Sequence, residues 1–213
     1  MQRPPVRLFV SYNEDGAPIR RKLAGLAAAD GPVWQASMME LDENRLAPGE
    51  GDVAVFPVFM QSGRAAFEIL PARLREAYTR LGASPELRMM PVWGASPTLA
   101  DEAAPAIKPF LHAETALLIV AHGRKGGEQA GEPQHFARRM AKLLPENAVK
   151  LAWFESRPEA AEVLASLPAR EVVVLPFLAG KGLHFHHDMP SPELAARYGK
   201  QIFLLPPLGD LLA

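Results

Sequence analysis

Residues 53–71 read VAVFPVFMQSGRAAFEILP and residues 172–190 read VVVLPFLAGKGLHFHHDMP, so one pattern stands in the chain twice: a β-branched run, a proline, a glycine and a second proline. At a constant offset of 119, Pro57, Gly63 and Pro71 fall on Pro176, Gly182 and Pro190, while Ala65 falls where His184 stands. The repeat extends in order through both halves, with small changes of offset of the kind that surface-loop insertions produce. RLFVSYNED (7–15) matches LLIVAHGRK (117–125) at 110, placing Tyr12 opposite His122 and Asn13 opposite Gly123. SMME (37–40) matches AWFE (152–155) at 115, which sets Glu40 against Glu155. RMMPVWG (88–94) matches FLLPPLG (203–209), also at 115, with Pro91 and Gly94 on Pro206 and Gly209. The expectation is two similar lobes, residues 1–110 and 111–213, with only the second carrying histidines in the pattern.

The composition narrows the classes such a duplication can serve. Lys and Arg total 23 against 24 Asp and Glu, so no global basic field argues for nucleic acid. With no Cys, disulfides and thiolate metal sites are excluded, and any metal must use His, carboxylate or water. A chain of 213 residues that is 48% hydrophobic can bury one sizeable core or two smaller ones. The opening MQRPPVRLFV is no signal peptide, and no apolar run approaches the ~18 residues of a membrane span, so a cytoplasmic location is expected.

Short continuous apolar runs, RLFVSY, DVAVFPVF, RMMPVW, ALLIVAH, KLAWFE, EVVVLPFL and QIFLLPP, are of the type that fills both faces of a buried parallel strand. Helical stretches lie between them at 64–81, 132–144 and 158–166, the last with Pro158 suited to its first turn. Strand–helix alternation predicts an α/β fold, each lobe a small parallel sheet flanked by helices. Ligands in such sheets sit beyond the carboxyl ends of the strands, where His122, Glu155 and the 179–188 loop holding His184 all fall. Two imidazoles and a carboxylate suit divalent Co, Fe, Ni or Zn, and a neutral imidazole can also accept a proton.

These residues resemble a known family. LLIVAHGRKGGE is similar to the strand-His-Gly opening of the class II tetrapyrrole chelatases, and PFLAGKGLHFHHDMP to their second signature, in which a proline and a glycine precede a His followed by Asp-apolar-Pro. The nearest resemblance is to the sirohydrochlorin cobaltochelatases and ferrochelatases of cobalamin and siroheme synthesis, close over 115–209 and only patterned over 6–110. The resemblance implies ATP-independent insertion of Co²⁺ or Fe²⁺ into a metal-free tetrapyrrole held between the lobes. It makes His122 metal ligand and base, His184 the second ligand, and Glu155 a third ligand or proton acceptor. Gly123, Gly180 and Gly182 would let the backbone approach a flat macrocycle, and Arg124, Lys125, Lys181 and Arg64 would pair with its carboxylates.

The chain also departs from the family. Arg124-Lys125 stands where Ser-Arg is usual, and Tyr12 and Ala65 replace histidines in the first lobe, so one metal site per chain is expected. The chain ends four residues after Gly209, where a final helix is expected, so the closing element would be either missing or supplied by a partner subunit in a homodimer. Simpler readings stand beside the functional ones. Glu155 could open a helix; Asp188 could cap the turn into Ser191-Pro192 or orient a ligand His; His186 and His187 read as solvated loop. Residues 20–22 read as a solvated helix face, and the Met pairs at 38–39 and 89–90 as core. Two other functions fit parts of the pattern: a non-catalytic tetrapyrrole or metal carrier, and a phosphohistidine enzyme, which would need more cationic groups around His122 than Arg124 and Lys125.

Overall fold

The computed structural model describes residues 6–28, 31–41, 46, 51–124 and 129–213. It divides into two units, residues 1–96 and 97–212, each with its own sheet. In the first unit β1 (Val6–Ser11), α1 (Ala17–Ala27), β2 (Val33–Ser37), β3 (Val53–Val58), α2 (Leu70–Arg80) and β4 (Leu87–Met89) form a parallel sheet of order β2-β1-β3-β4 with its helices. The second unit opens with α3 (Leu99–Ile107). It continues through β5 (Thr115–Ala121), α4 (Gly131–Leu143), β6 (Val149–Trp153), α5 (Ala160–Ser166), β7 (Glu171–Pro176), α6 (Leu183–His187), α7 (Pro192–Ala196), β8 (Gln201–Leu204) and α8 (Leu208–Leu211). Its sheet is parallel, of order β6-β5-β7-β8. The expected α/β fold of two similar lobes, each a small parallel sheet flanked by helices, is what the chain forms.

The strand pairing repeats residue for residue. Val10 pairs with Pro57 and Val120 with Pro176; Met89 pairs with Val55 and Leu204 with Val174. Each proline stands two residues beyond the last residue of its strand that pairs with the edge strand, Val55 in β3 and Val174 in β7. In a parallel strand alternate residues turn their N–H and C=O to the same neighbour, so Pro57 faces β4 as Val55 does. Met90 N–H donates to the Val55 carbonyl (2.8 Å) just beyond the end of β4, so the N–H that Pro57 lacks is missing only where this ladder ends. Leu205 N–H to the Val174 carbonyl, followed by Pro206, repeats the device in the second unit.

Each sheet buries a separate apolar cluster. Leu8, Val10, Val53, Val55, Leu70, Leu74 and Tyr78 belong to the first, and Leu118, Val120, Leu164, Val172, Val174 and Ala195 to the second. All seven residues of β5 are buried, which is why its sequence shows no alternation. β8 does not follow that rule: Phe203 and Leu204 are exposed at a sheet edge, with Phe203 stacked on Phe110 at 5.4 Å between ring centroids.

Several sequence expectations change in detail. β2 is a strand missing from the apolar runs, since VWQAS carries polar residues and only its end is fully buried. Arg20 is no solvated helix residue: it is buried, with its guanidinium on Ser11 Oγ (2.6 Å), the Ala36 carbonyl (3.0 Å) and Glu14 (3.1 and 3.2 Å). Met38 is core but Met39 is half exposed. α5 begins at Ala160 behind Glu159, which forms a capping box with Glu162, so Pro158 lies outside the helix. α3, within the stretch read as the end of the first lobe, packs against α4 of the second unit. No described helix is long and apolar enough to cross a membrane.

Candidate active site

The strand order β6-β5-β7 places three consecutive loops side by side at the carboxyl edge of the second sheet. His122 is the first residue beyond β5, and the pairing of β5 with β6 runs on past both strands: Phe154 N–H donates to the Ala121 carbonyl (2.9 Å) and Glu155 N–H to the His122 carbonyl (3.0 Å). The backbone thus holds Glu155 next to His122. Trp153 N–H returns to the Pro158 carbonyl (3.0 Å), closing residues 154–158 into a loop. Glu155 therefore stands in that loop, well before α5, and does not open a helix.

Glu155 Oε2 lies 3.7 Å from His122 Nδ1, and the two side chains are 36% and 40% exposed, so both groups are reachable from solvent. Nδ1 is also 3.1 Å from the Gly123 carbonyl. A carbonyl can only accept, so in this contact Nδ1 is the donor. The Phe154 ring meets the imidazole edge-on at 6.4 Å. Gly123 has φ 80, a conformation that a side chain strains, and a Cβ there would come within 3.2 Å of the Cβ atoms of both Trp153 and Ser156. The glycine of the His-Gly pair is thus required by the turn itself.

On the other side of β5, Phe177 N–H donates to the Val120 carbonyl (2.8 Å), Gly182 N–H to the Gly180 carbonyl (3.0 Å) and Phe185 N–H to the Gly182 carbonyl (3.0 Å). His184 is in the short helix α6 and not in an open loop, a consequence of the Gly182 carbonyl starting a helical turn. His186 and His187 are exposed on α6. Ser191 Oγ, not Asp188, caps α7, accepting from Leu194 N–H, with Pro192 first in the helix as expected. Lys181 is exposed beside this turn, and Lys125 lies outside the described residues. Arg64 belongs to the first unit, exposed and paired with Glu68 at 3.3 Å. Among the described residues no three His, Asp or Glu groups stand together as a metal cage; the structure unites His122 with Glu155.

The equivalent place in the first unit corrects one alignment. Met38 N–H donates to the Ser11 carbonyl (2.8 Å) and Met39 N–H to the Tyr12 carbonyl (3.0 Å), the two bonds made by Phe154 and Glu155. With Tyr12 in the place of His122, Glu155 therefore answers to Met39, not to Glu40. The slip of one residue follows from matching SMME to AWFE on the shared glutamate, whereas the strand register pairs Val10 with Ala36 and Val120 with Ala152. The first unit has neither imidazole nor carboxylate at this point. Two residues of the second unit escaped the sequence reading altogether: Gln129, bonded to both backbone groups of Arg124, and Ser156, bonded to Gln129. Neither stands in a motif.

Comparison with known proteins agrees with this geometry. The family model named CbiX matches residues 116–211, the whole span from β5 to α8. No curated protein sequence matches the chain. The structure of CbiX described as the terminal enzyme for biosynthesis of siroheme in denitrifying bacteria superposes with a TM-score of 0.64 at 27% identity, covering 97% of this chain and 92% of its own. SirB from Bacillus subtilis with Fe³⁺ gives 0.72 at 13% identity over 97% and 89% of the two chains. The sirohydrochlorin chelatase SirB from Bacillus subtilis subspecies spizizenii, in complex with cobalt, gives 0.69 at 12% over 97% and 88%. The repeat, the paired sheets and the His122–Glu155 edge all lie inside these matches: the chain has the two-lobed fold of these chelatases, and its residues 116–211 are similar to the CbiX family.

Proposed function

We propose that the protein inserts a divalent metal, Co²⁺ or Fe²⁺, into sirohydrochlorin without ATP, as a lyase of siroheme or cobalamin biosynthesis in the cytoplasm. The observation that carries this reading is the His122–Glu155 pair at the carboxyl edge of the sheet that matches CbiX. The neighbour solved with cobalt is named as a sirohydrochlorin chelatase, which supports the substrate.

Insertion replaces two pyrrole N–H protons by one metal ion. With Nδ1 of His122 turned to Gly123 and Glu155, Nε2 is the nitrogen assigned to the metal, and its one lone pair cannot hold a metal and a proton together. The two tasks are then sequential. The metal passes from Nε2 to a pyrrole nitrogen, the freed Nε2 accepts one of the two N–H protons, and the other leaves to solvent. Glu155 is expected from the resemblance as third ligand or proton acceptor; at 3.7 Å on the Nδ1 side, away from the nitrogen assigned to the metal, it is proposed instead to stabilise the imidazolium by its charge. His184 is assigned the second ligand position, and Gly123, Arg124, Lys125, Gly180, Lys181, Gly182 and Arg64 the tetrapyrrole contacts. Residues 1–110 are read as the degenerate copy and 111–213 as the armed one.

The test is the anaerobic absorbance change of sirohydrochlorin with Co²⁺ or Fe²⁺, set against the spontaneous rate. Acceleration that His122→Ala and His184→Ala each abolish is the expected result. Tight binding of the pigment without acceleration would make the protein a carrier, and phosphatase activity without pigment binding would return the phosphohistidine reading.

A further inference from the structure

We propose that Gln129 and Ser156 are positioning residues that hold the His122–Glu155 pair in register; the inference rests on that pair being the metal-insertion centre. The Gln129 carboxamide meets one backbone residue the way a neighbouring strand would. Its Oε1 accepts from Arg124 N–H at 2.9 Å and its Nε2 donates to the Arg124 carbonyl at 2.9 Å. The backbone of Arg124 is thus fastened to Gln129 by both its polar groups.

The same Nε2 donates to Ser156 Oγ at 2.8 Å. Ser156 directly follows Glu155, and Arg124 stands two residues after His122, so one carboxamide ties together the loops that carry the two reactive groups. The space beneath is filled: a Cβ on Gly123 would lie 3.2 Å from Ser156 Cβ and 3.4 Å from Gln129 Oε1. Backbone pairing sets how far Glu155 stands from His122, and the carboxamide bridge sets the angle between their loops. Neither residue is placed on the tetrapyrrole or the metal, so loss of the clamp should slow turnover without weakening pigment binding.

Gln129→Glu discriminates, because it keeps the size and an acceptor for Arg124 N–H while removing the donor that serves the Arg124 carbonyl and Ser156. A loss in kcat of about 10- to 100-fold is expected, the range found when groups orienting a metal-site histidine are removed. KM for the tetrapyrrole and Tm should hold. Ser156→Ala should lose less, and Ser156→Thr, which restores a hydroxyl, should recover most of it. The visible bands of Co²⁺ bound to the protein alone should change in shape in Gln129→Glu and return in Ser156→Thr. If Gln129→Glu lowers Tm, the Ser156 pair decides. Wild-type kcat in Gln129→Glu and Ser156→Ala would overturn the inference, and so would a rise in KM at constant kcat, which marks a substrate contact. A wild-type protein that accelerates no insertion, with His122→Ala indistinguishable from it, would instead overturn the reading of the pair.

Discussion

Glu155 Oε2 stands 3.7 Å from His122 Nδ1, beyond hydrogen-bond length but close enough for its charge to act on the ring. Glu155→Gln keeps the shape and removes the charge that would stabilise an imidazolium. Its kcat for insertion should fall by about 10- to 100-fold while pigment binding persists, as steady-state kinetics beside a direct binding titration would show. A kcat unchanged from wild type would make the carboxylate a bystander. Tyr78 presents the opposite situation, a polar atom where none is wanted. It is buried in the first unit, and its hydroxyl has no hydrogen-bond partner among the described residues. Burial pushes its phenol up to about 12 from 10.0. The phenol stays protonated in the fold while the unfolded chain ionises at about pH 10, so its favourable contribution is whole below pH 10 and is lost as pH rises through about 12. Tyr78→Phe should leave stability at neutral pH unchanged or raise it by ~1 kcal/mol. The variant should also flatten the alkaline decline, which urea titrations between pH 7 and 11 would reveal.

At the level of elements, the duplication is most exact where backbone meets backbone. A Cβ on Gly94 would be driven into the carbonyl of Met60, and one on Gly209 into the carbonyl of Ala179. Gly94 N–H bonds the Phe59 carbonyl and Gly209 N–H that of Leu178, both about 3 Å. Either glycine to alanine should therefore destabilise by ~1–3 kcal/mol. Only Gly209→Ala should also lower kcat, since it displaces the segment leading to Gly180 and Gly182. Equal activity losses in the two variants, measured beside their melting curves, would argue against this separation. These positions were legible in the sequence because a glycine and a proline at fixed spacing record a backbone requirement. Glu155's partner was not: strand register is set by hydrogen bonds, and aligning on like letters slid Glu40 into the place of Met39. Arg20 was misread because a charge pattern does not show that Glu14, Ser11 and the Ala36 carbonyl await it inside the unit. Gln129 was invisible for a related reason. Its partners are the backbone of Arg124 and the hydroxyl of Ser156, and backbone groups leave no trace in a sequence.

For the whole molecule, the repeat predicted two lobes, while packing decides which unit holds the chain between the sheets. α3 buries Leu99, Ala100, Ala103, Ala104 and Ile107 and lies on α4. Arg139 of α4 grips Asp101 of α3 through two nitrogens, at 2.6 and 3.2 Å. The hydrogen bonds from that guanidinium hold the Asp101 carboxyl below its ordinary range, so this pin persists at neutral pH and loosens only as acid protonates the carboxylate. Removing α3 exposes the α4 surface beneath it and forfeits the burial of Leu99 and Ile107. Those two side chains represent on the order of 3–6 kcal/mol, against a total of roughly 5–15 kcal/mol for a domain. A second-lobe fragment begun at residue 111 should therefore be expanded and without a cooperative melt, whereas one begun at residue 97 should fold. Circular dichroism melts of the two fragments test this directly. If the shorter one melts as sharply and at the same temperature, α3 contributes nothing to the second unit, and the boundary lies where the sequence repeat alone would put it.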